Sequence, residues 1–253
     1  MVIDFHCHYA RWGGPRLPED TPERTLEFLA GQGVDGALIA PLMGVFSSCT
    51  DPKPENDEIV QYCSQAKGKL FPAFSVNPLF GQPALDEIRR CKDEHDARVL
   101  KLHPWLQGFP ICSPEMDKVA ELCEQLGIAI LFHDGTPVYG HPLQVARLCR
   151  DFPGLTVIAG HAGLGDMARE VIVAAQRYSN FVLCFCGPRE LGMKSMVESV
   201  PPEQLCVGSD IFTSDNNEAV LWFRWASFRA VDMPEHVRRT IECDTPARLL
   251  GLS

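Results

Sequence analysis

No apolar run in this 253-residue chain reaches the roughly 18 residues that a membrane-spanning helix needs, so no membrane partner is expected. The opening MVIDFHCH has no basic n-region and no long apolar h-region, and a reducing cytoplasm is the expected compartment. Positive charge is in short supply. Lys and Arg number 23 against 33 Asp and Glu, and the net charge of −10 disfavours nonspecific attraction to phosphate backbones. Nucleic acid is therefore not an expected partner. No Cys-x-x-Cys pair occurs among the eleven cysteines, and Cys184 and Cys186 sit two apart in the apolar run NFVLCFCG, where cysteine behaves as a small hydrophobe. All eleven are read as structural. There is no interdomain linker, no low-complexity segment and no sequence repeat beyond a strand and helix alternation, which leaves one domain over 1–253.

What the chain does have is a recurrent pattern. With 45% hydrophobic and 22% charged residues it can bury a sizeable core without staples. Eight short apolar runs stand out, at 2–8, 35–41, 70–76, 97–103, 127–133, 155–161, 180–186 and 204–210. Their near-continuous hydrophobicity fits parallel strands covered on both faces. Helical segments lie between them. In PERTLEFLAGQG, Thr21 is the expected N-cap, Pro22 opens the helix, Glu23 sits in the first turn, and Gly31 or Gly33 stops it. PEMDKVAELCEQLG repeats the scheme, with Ser113 as cap, Pro114 at the first position, Val119, Leu122, Cys123 and Leu126 as the apolar face, and Gly127 as the stop. Eight such alternations in about 250 residues predict a single (β/α)8 TIM barrel. A doubly wound open sheet is the competing α/β architecture, but no run is followed by Gly-x-Gly-x-x-Gly.

Polar residues able to bind a metal close run after run: His6 and His8 on the first, His103 on the fourth, His133 on the fifth, His161 on the sixth and Asp210 on the eighth. Barrel active sites gather at that end of the strands. His6 and His8, spaced i and i+2, point to one side and can grip one ion; by the same alternation Asp4 shares their face, deeper in the barrel. Lys101 and His103 share a face of the fourth strand. The Lys101 ammonium pairs with a buried carboxylate such as Asp4 or with substrate. Arg11 and Arg189 follow the first and seventh runs, placed to clamp a substrate carboxylate. His141, opening a helix after the fifth run, is a bystander.

IDFHCH, KLHP at 101–104, FHDGTP at 132–137, GHAG at 160–163, GSD at 208–210 and the final TPARLLGL together resemble the amidohydrolase superfamily. The resemblance is to the branch related to aminocarboxymuconate semialdehyde decarboxylase. It implies one divalent ion held by His6, His8, His133 and Asp210, with His161 acting beside it on substrate or water. Zinc is the expected ion, and manganese or iron could substitute without a change of sequence. Such an ion lowers the pKa of bound water from about 15.7 to about 7. Asp210 then accepts the proton, and His161 hydrogen-bonds the substrate oxygen on which charge develops. In some other members of the superfamily a carboxylated lysine at the position of Lys101 bridges two ions. The leading expectation is a hydrolase attacking an amide, lactone or ester-like carbonyl of a small, anionic substrate. Decarboxylation of an unsaturated or aromatic acid is the alternative, and a non-catalytic metal-binding scaffold lies outside both. A metal-dependent DNase is disfavoured by the acidic surface and by Lys101, where that family has glutamate. Self-association into a homo-oligomer stays open.

Overall fold

Each of the eight apolar runs contains a strand: β1 Ile3–His8, β2 Gly36–Ala40, β3 Leu70–Pro72, β4 Val99–Leu102, β5 Ala129–Phe132, β6 Val157–Ala159, β7 Phe181–Phe185 and β8 Leu205–Val207. The structure is a computed structural model, and the residues it describes are 1–9, 21–136, 138–211 and 217–252. Every pairing is parallel, in the orders β1-β2-β3 and β4-β5-β6-β7-β8. Two single bridges join these arcs. Phe74, just past β3, pairs with Leu100, and Cys7 pairs with Ile211 just past β8. Backbone bonds fasten both seams: Lys101 N–H donates to the Phe74 carbonyl at 2.7 Å, and His8 N–H donates to the Ile211 carbonyl at 3.0 Å. The ring of eight is the TIM barrel expected from the pattern.

The helices follow the strands in turn: α1 Pro22–Ala30, α2 Lys53–Ser64, α3 Gln82–His95, α4 Pro104–Gln107, α5 Pro114–Leu126, α6 Pro142–Asp151, α7 Ala168–Arg177, α8 Glu190–Ser199, α9 Asn217–Ala230, α10 Glu235–Arg239 and α11 Thr245–Leu250. Local chemistry sets their ends. The Thr21 side chain accepts from Arg24 N–H, and the Ser113 side chain accepts from Met116 N–H, each satisfying one orphan donor of a first turn. Gly127 ends α5 in the left-handed conformation, φ 65°. Directly after His103, residues 104–107 form the short helix α4.

Two apolar layers hold the barrel. The larger lies between strands and helices and includes Leu100, Leu102, Ile130, Phe132 and Leu183 against Ile88, Val119, Val145 and Val171. The smaller fills the interior with Ile3, Phe5, Leu38, Val99, Leu131, Ile158, Val182, Cys184 and Cys206, and among the described residues its helical members are Leu249 and Leu250 of α11. Alternation along each strand sends side chains to one layer or the other. β1 departs from it. Its pairing with β2 shifts register between Asp4 and Cys7, so Ile3 and Phe5 belong to the interior layer while Cys7 belongs to the outer one. A bulge of this kind re-aims the side chains that follow. The expectation that Asp4 shares the face of His6 is corrected by it. Among the described residues no helix is long and apolar enough to cross a membrane.

Candidate metal centre

Beyond the bulge, β1 delivers His6 and His8, both buried, to the carboxylate of Asp210 at the end of β8. His8 Nε2 stands 3.0 Å and His6 Nε2 3.5 Å from Asp210 Oδ1, and the donor atoms of the three residues all lie within 4.8 Å of one another. Both rings are committed on the far side. His8 Nδ1 is 3.0 Å from the Pro41 carbonyl and His6 Nδ1 is 3.2 Å from the Gly160 carbonyl. A carbonyl only accepts, so each Nδ1 carries a proton, and Nε2 is the nitrogen that each ring turns toward the carboxylate. Two imidazole nitrogens and a carboxylate oxygen gathered at this range are a set that can hold a cation.

The backbone that presents them is tied at one point. Asp4 Oδ1 accepts from His6 N–H at 3.1 Å and Ser209 N–H at 3.0 Å, while Oδ2 accepts from Trp225 Nε1–H on α9 at 2.9 Å. Asp4 thus fastens β1, the end of β8 and α9 together; the expected pairing with Lys101 is not made. Burial pushes its carboxyl up, and these donors oppose that. Gly208 leaves room for His6, since a Cβ there would lie 2.5 Å from the His6 Cβ. Asp210 takes up a left-handed φ of 62°, and its N–H donates to the His6 carbonyl at 2.6 Å. A non-glycine residue held there is strained, a state that persists where surrounding contacts over-determine it. Burial alone would raise the Asp210 carboxyl, but the electrostatic influence of His6 and a hydrogen bond with His8 outweigh it and hold the carboxyl well below the ordinary carboxylate range.

Lys101 reaches the same point from β4. Its Nζ lies 2.8 Å from His6 Nε2, donating to the lone pair that an ion would take. Burial lowers its pKa, and the nearby Asp210 works in the opposite direction.

The remaining imidazoles form a second row. His133 stacks on His103 with centroids 3.8 Å apart and meets His161 edge-on at 4.1 Å; His161 is 5.0 Å from His6. Burial holds the His133 pKa down to about 3 and drives that of His161 well below its ordinary value, so both rings are neutral near pH 7. His133 is not one of the three donors converging within 4.8 Å. His103 caps α4, its Nδ1 accepting from Leu106 N–H at 3.4 Å, and its backbone N–H donates to Gln107 Oε1 at 2.8 Å. Gln107 also donates to the Val76 carbonyl at 2.8 Å and the Gly44 carbonyl at 3.3 Å, tying the segments after β2, β3 and β4.

His161 is seated by a residue that strand-end reading passed over. Asp134, inside the FHDGTP motif, accepts from His161 N–H at 2.6 Å and Gly163 N–H at 2.7 Å, and burial pushes its carboxyl up to about 6. A buried acid directly after a histidine at a strand end was the available signal. Cys186 is the other omission: read as a small hydrophobe, it lies against both His6 and His161. All eleven cysteines are unbridged, and eight are buried. Arg189 is exposed at the N-cap position of α8, and Arg11 lies outside the described residues. His141 caps α6, its Nδ1 accepting from Leu143 N–H at 3.1 Å.

The donor set fits a divalent ion. Two imidazole lone pairs and a carboxylate converge, as zinc, manganese or iron sites require. The buried Nε2 of His161 has no hydrogen-bond partner among the described residues.

A family model described as amidohydrolase matches residues 3–252. No curated protein matches the chain. Solved structures do. A 2,6-dihydroxybenzoate decarboxylase from Rhizobium superposes with TM-score 0.78 at 14% identity, covering 100% of this chain and 99% of that one. For 5-carboxyvanillate decarboxylase from Sphingomonas paucimobilis the TM-score is 0.75 at 15% identity, with 99% and 98% covered. For 4-oxalomesaconate hydratase from Rhodopseudomonas palustris it is 0.73 at 16% identity, with 99% and 96% covered. At such identities the likeness is one of fold.

Proposed function

The chain belongs to the amidohydrolase family, and from that premise we propose that it is a metal-dependent hydrolase acting on an amide, lactone or ester-like carbonyl of a small anionic molecule. The observation that carries the reading is the convergence of His6 Nε2, His8 Nε2 and Asp210 Oδ1 with both Nδ1 atoms already committed. His6, His8 and Asp210 would hold the ion, and His133 is the fourth ligand of the proposal. When bound, a divalent ion polarises a carbonyl and lowers the pKa of water to about 7.

The protein's own groups supply the rest. Asp210 is ionised, 28% exposed and able to accept a proton from water entering the site. Buried Lys101 contributes the positive charge that favours an anionic substrate. His161 turns its unpartnered Nε2 to the reacting molecule.

Decarboxylation is the second reading, favoured by structural neighbours that are named decarboxylases. There Lys101 would neutralise the departing carboxylate and His161 would manage protonation of carbon. Zinc- and manganese-loaded protein, assayed against anionic lactones, amides and aromatic acids, separates the two. A new carboxylate without carbon dioxide supports hydrolysis, and carbon dioxide release replaces it with the second reading. Failure to bind about one ion per chain would overturn both.

A further inference from the structure

Cys186 follows β7 directly and is fully buried. The turn that places it is tight: Cys186 N–H donates to the Cys184 carbonyl at 2.9 Å, and a Cβ on Gly187 would stand 2.0 Å from the His161 carbonyl oxygen. Only glycine lets the chain pass so close, and the approach brings the Cys186 sulfur against Nδ1 of the His161 ring. Sγ then lies 2.7 Å from the Gly160 carbonyl, 3.0 Å from His161 Nδ1 and 3.2 Å from His6 Nδ1, with the Cys184 thiol as a further neighbour.

A thiol has one proton to give. The carbonyl, which can only accept, takes it at the shortest of the three distances; sent elsewhere, the proton would leave sulfur and carbonyl oxygen facing each other as acceptors at 2.7 Å. Toward the two rings the sulfur is therefore an acceptor, and each Nδ1 is a donor. For His6 the Gly160 carbonyl enforces the same outcome independently. For His161 the sulfur is the side-chain partner of Nδ1, and the opposite nitrogen, Nε2, is buried with no hydrogen-bond partner among the described residues.

We propose that Cys186 is a positioning residue that fixes His161 as the Nδ1–H tautomer, so that Nε2 meets the reacting molecule as a proton acceptor and not as a hydrogen-bond donor. This reverses the polarity expected of His161 from sequence, where it donates to a substrate oxygen. The ring gains an Nε2–H only after it has taken a proton from an O–H group in the site. The functional meaning rests on the proposed metal-dependent chemistry; the tautomer itself needs neither ion nor substrate.

The test is nitrogen-resolved NMR of the imidazoles in metal-free protein with ¹⁵N-labelled histidine, His161 being assigned by its loss in His161→Asn. In the wild type, His161 is expected to show a protonated Nδ1 and a bare Nε2. In Cys186→Ala the Nε2–H form, preferred by free histidine, should become the majority at His161, while His6 stays unchanged because the Gly160 carbonyl still holds it. Cys186→Ser, which can donate to that carbonyl and accept from the ring, should restore the wild-type pattern. A protonated Nε2 at His161 in the wild type, or an unchanged His161 in folded Cys186→Ala, overturns the proposal. Should Cys186→Ala fail to fold, the wild-type and Cys186→Ser spectra decide. Zinc titration of the same samples reads the metal-site proposal separately.

Discussion

The ammonium of Lys101 stands 2.8 Å from Nε2 of His6, so a fixed cation of the protein lies against a lone pair that a bound ion would use. Two unit charges 4 Å apart at an effective dielectric of 20 interact by about 4 kcal/mol, and like charges repel by that amount. Replacing Lys101 with methionine keeps most of the buried volume and removes the charge. Lys101→Met is expected to bind zinc at least about tenfold tighter while weakening binding of an anionic substrate, as read by competitive chelator titration and by KM. Unchanged zinc affinity would show that Lys101 is neutral at this site. Metal content should stay near one per chain in wild type and variant; two ions per chain, rising with bicarbonate, would point to a carboxylated, bridging Lys101.

Loss of a ligand should be visible in metal content before activity is measured. His6→Ala, His8→Ala and His133→Ala are each expected to purify with well under one ion per chain. Asp210→Asn should lose both ion and turnover, because the same carboxylate binds and accepts a proton. Elemental analysis checks all four. Full metal occupancy in His133→Ala alone would leave His6, His8 and Asp210 as the ligand set and make His133 a partner of His103, on which it stacks.

His161→Asn should keep the ion and lose turnover by about 10² to 10⁴-fold, the usual worth of a positioned acid or base. Metal loss equal to that of His8→Ala would place His161 among the ligands. Asp134→Asn acts on the same ring from behind. It replaces an oxygen that accepts from His161 N–H or Gly163 N–H with an NH₂ group, and it should lower turnover while leaving metal content intact.

Gly208→Ala tests the crowding beneath the site, where the added Cβ would meet His6 Cβ at 2.5 Å and Cys184 Sγ at 2.8 Å. Overpacking of this kind costs about 1–3 kcal/mol. In a domain of this size that corresponds to a fall of several degrees in the melting temperature, at roughly 2–4 °C per kcal/mol. Calorimetry of the metal-free protein reads it without interference from the ion. A melting temperature equal to wild type would mean that β1 and β8 can separate without cost.

Much of the barrel was legible in one dimension because its signals are local. A strand covered on both faces needs an unbroken apolar run whatever packs against it, so all eight runs could be counted directly. Thr21, Ser113 and Gly127 act on neighbouring backbone groups and mark helix ends for the same reason. The placement of histidines and Asp210 at run ends likewise depends only on strand direction. Tertiary structure decided what depends on contact between distant segments. Alternation put Asp4 beside His6, but pairing with β2 inserts a bulge, and Asp4 turns instead to Ser209 and to Trp225, 221 residues away. Ring closure rests on two single bridges that no local pattern encodes. Cys186 read as one more small hydrophobe because its neighbours in sequence are apolar, whereas its polar partners, Gly160, His161 and His6, come from β1 and the end of β6. Sequence alone determined which residues could do chemistry and at which end of the barrel; which way each nitrogen turns its proton was decided by hydrogen bonds that exist only once the strands have closed into a ring.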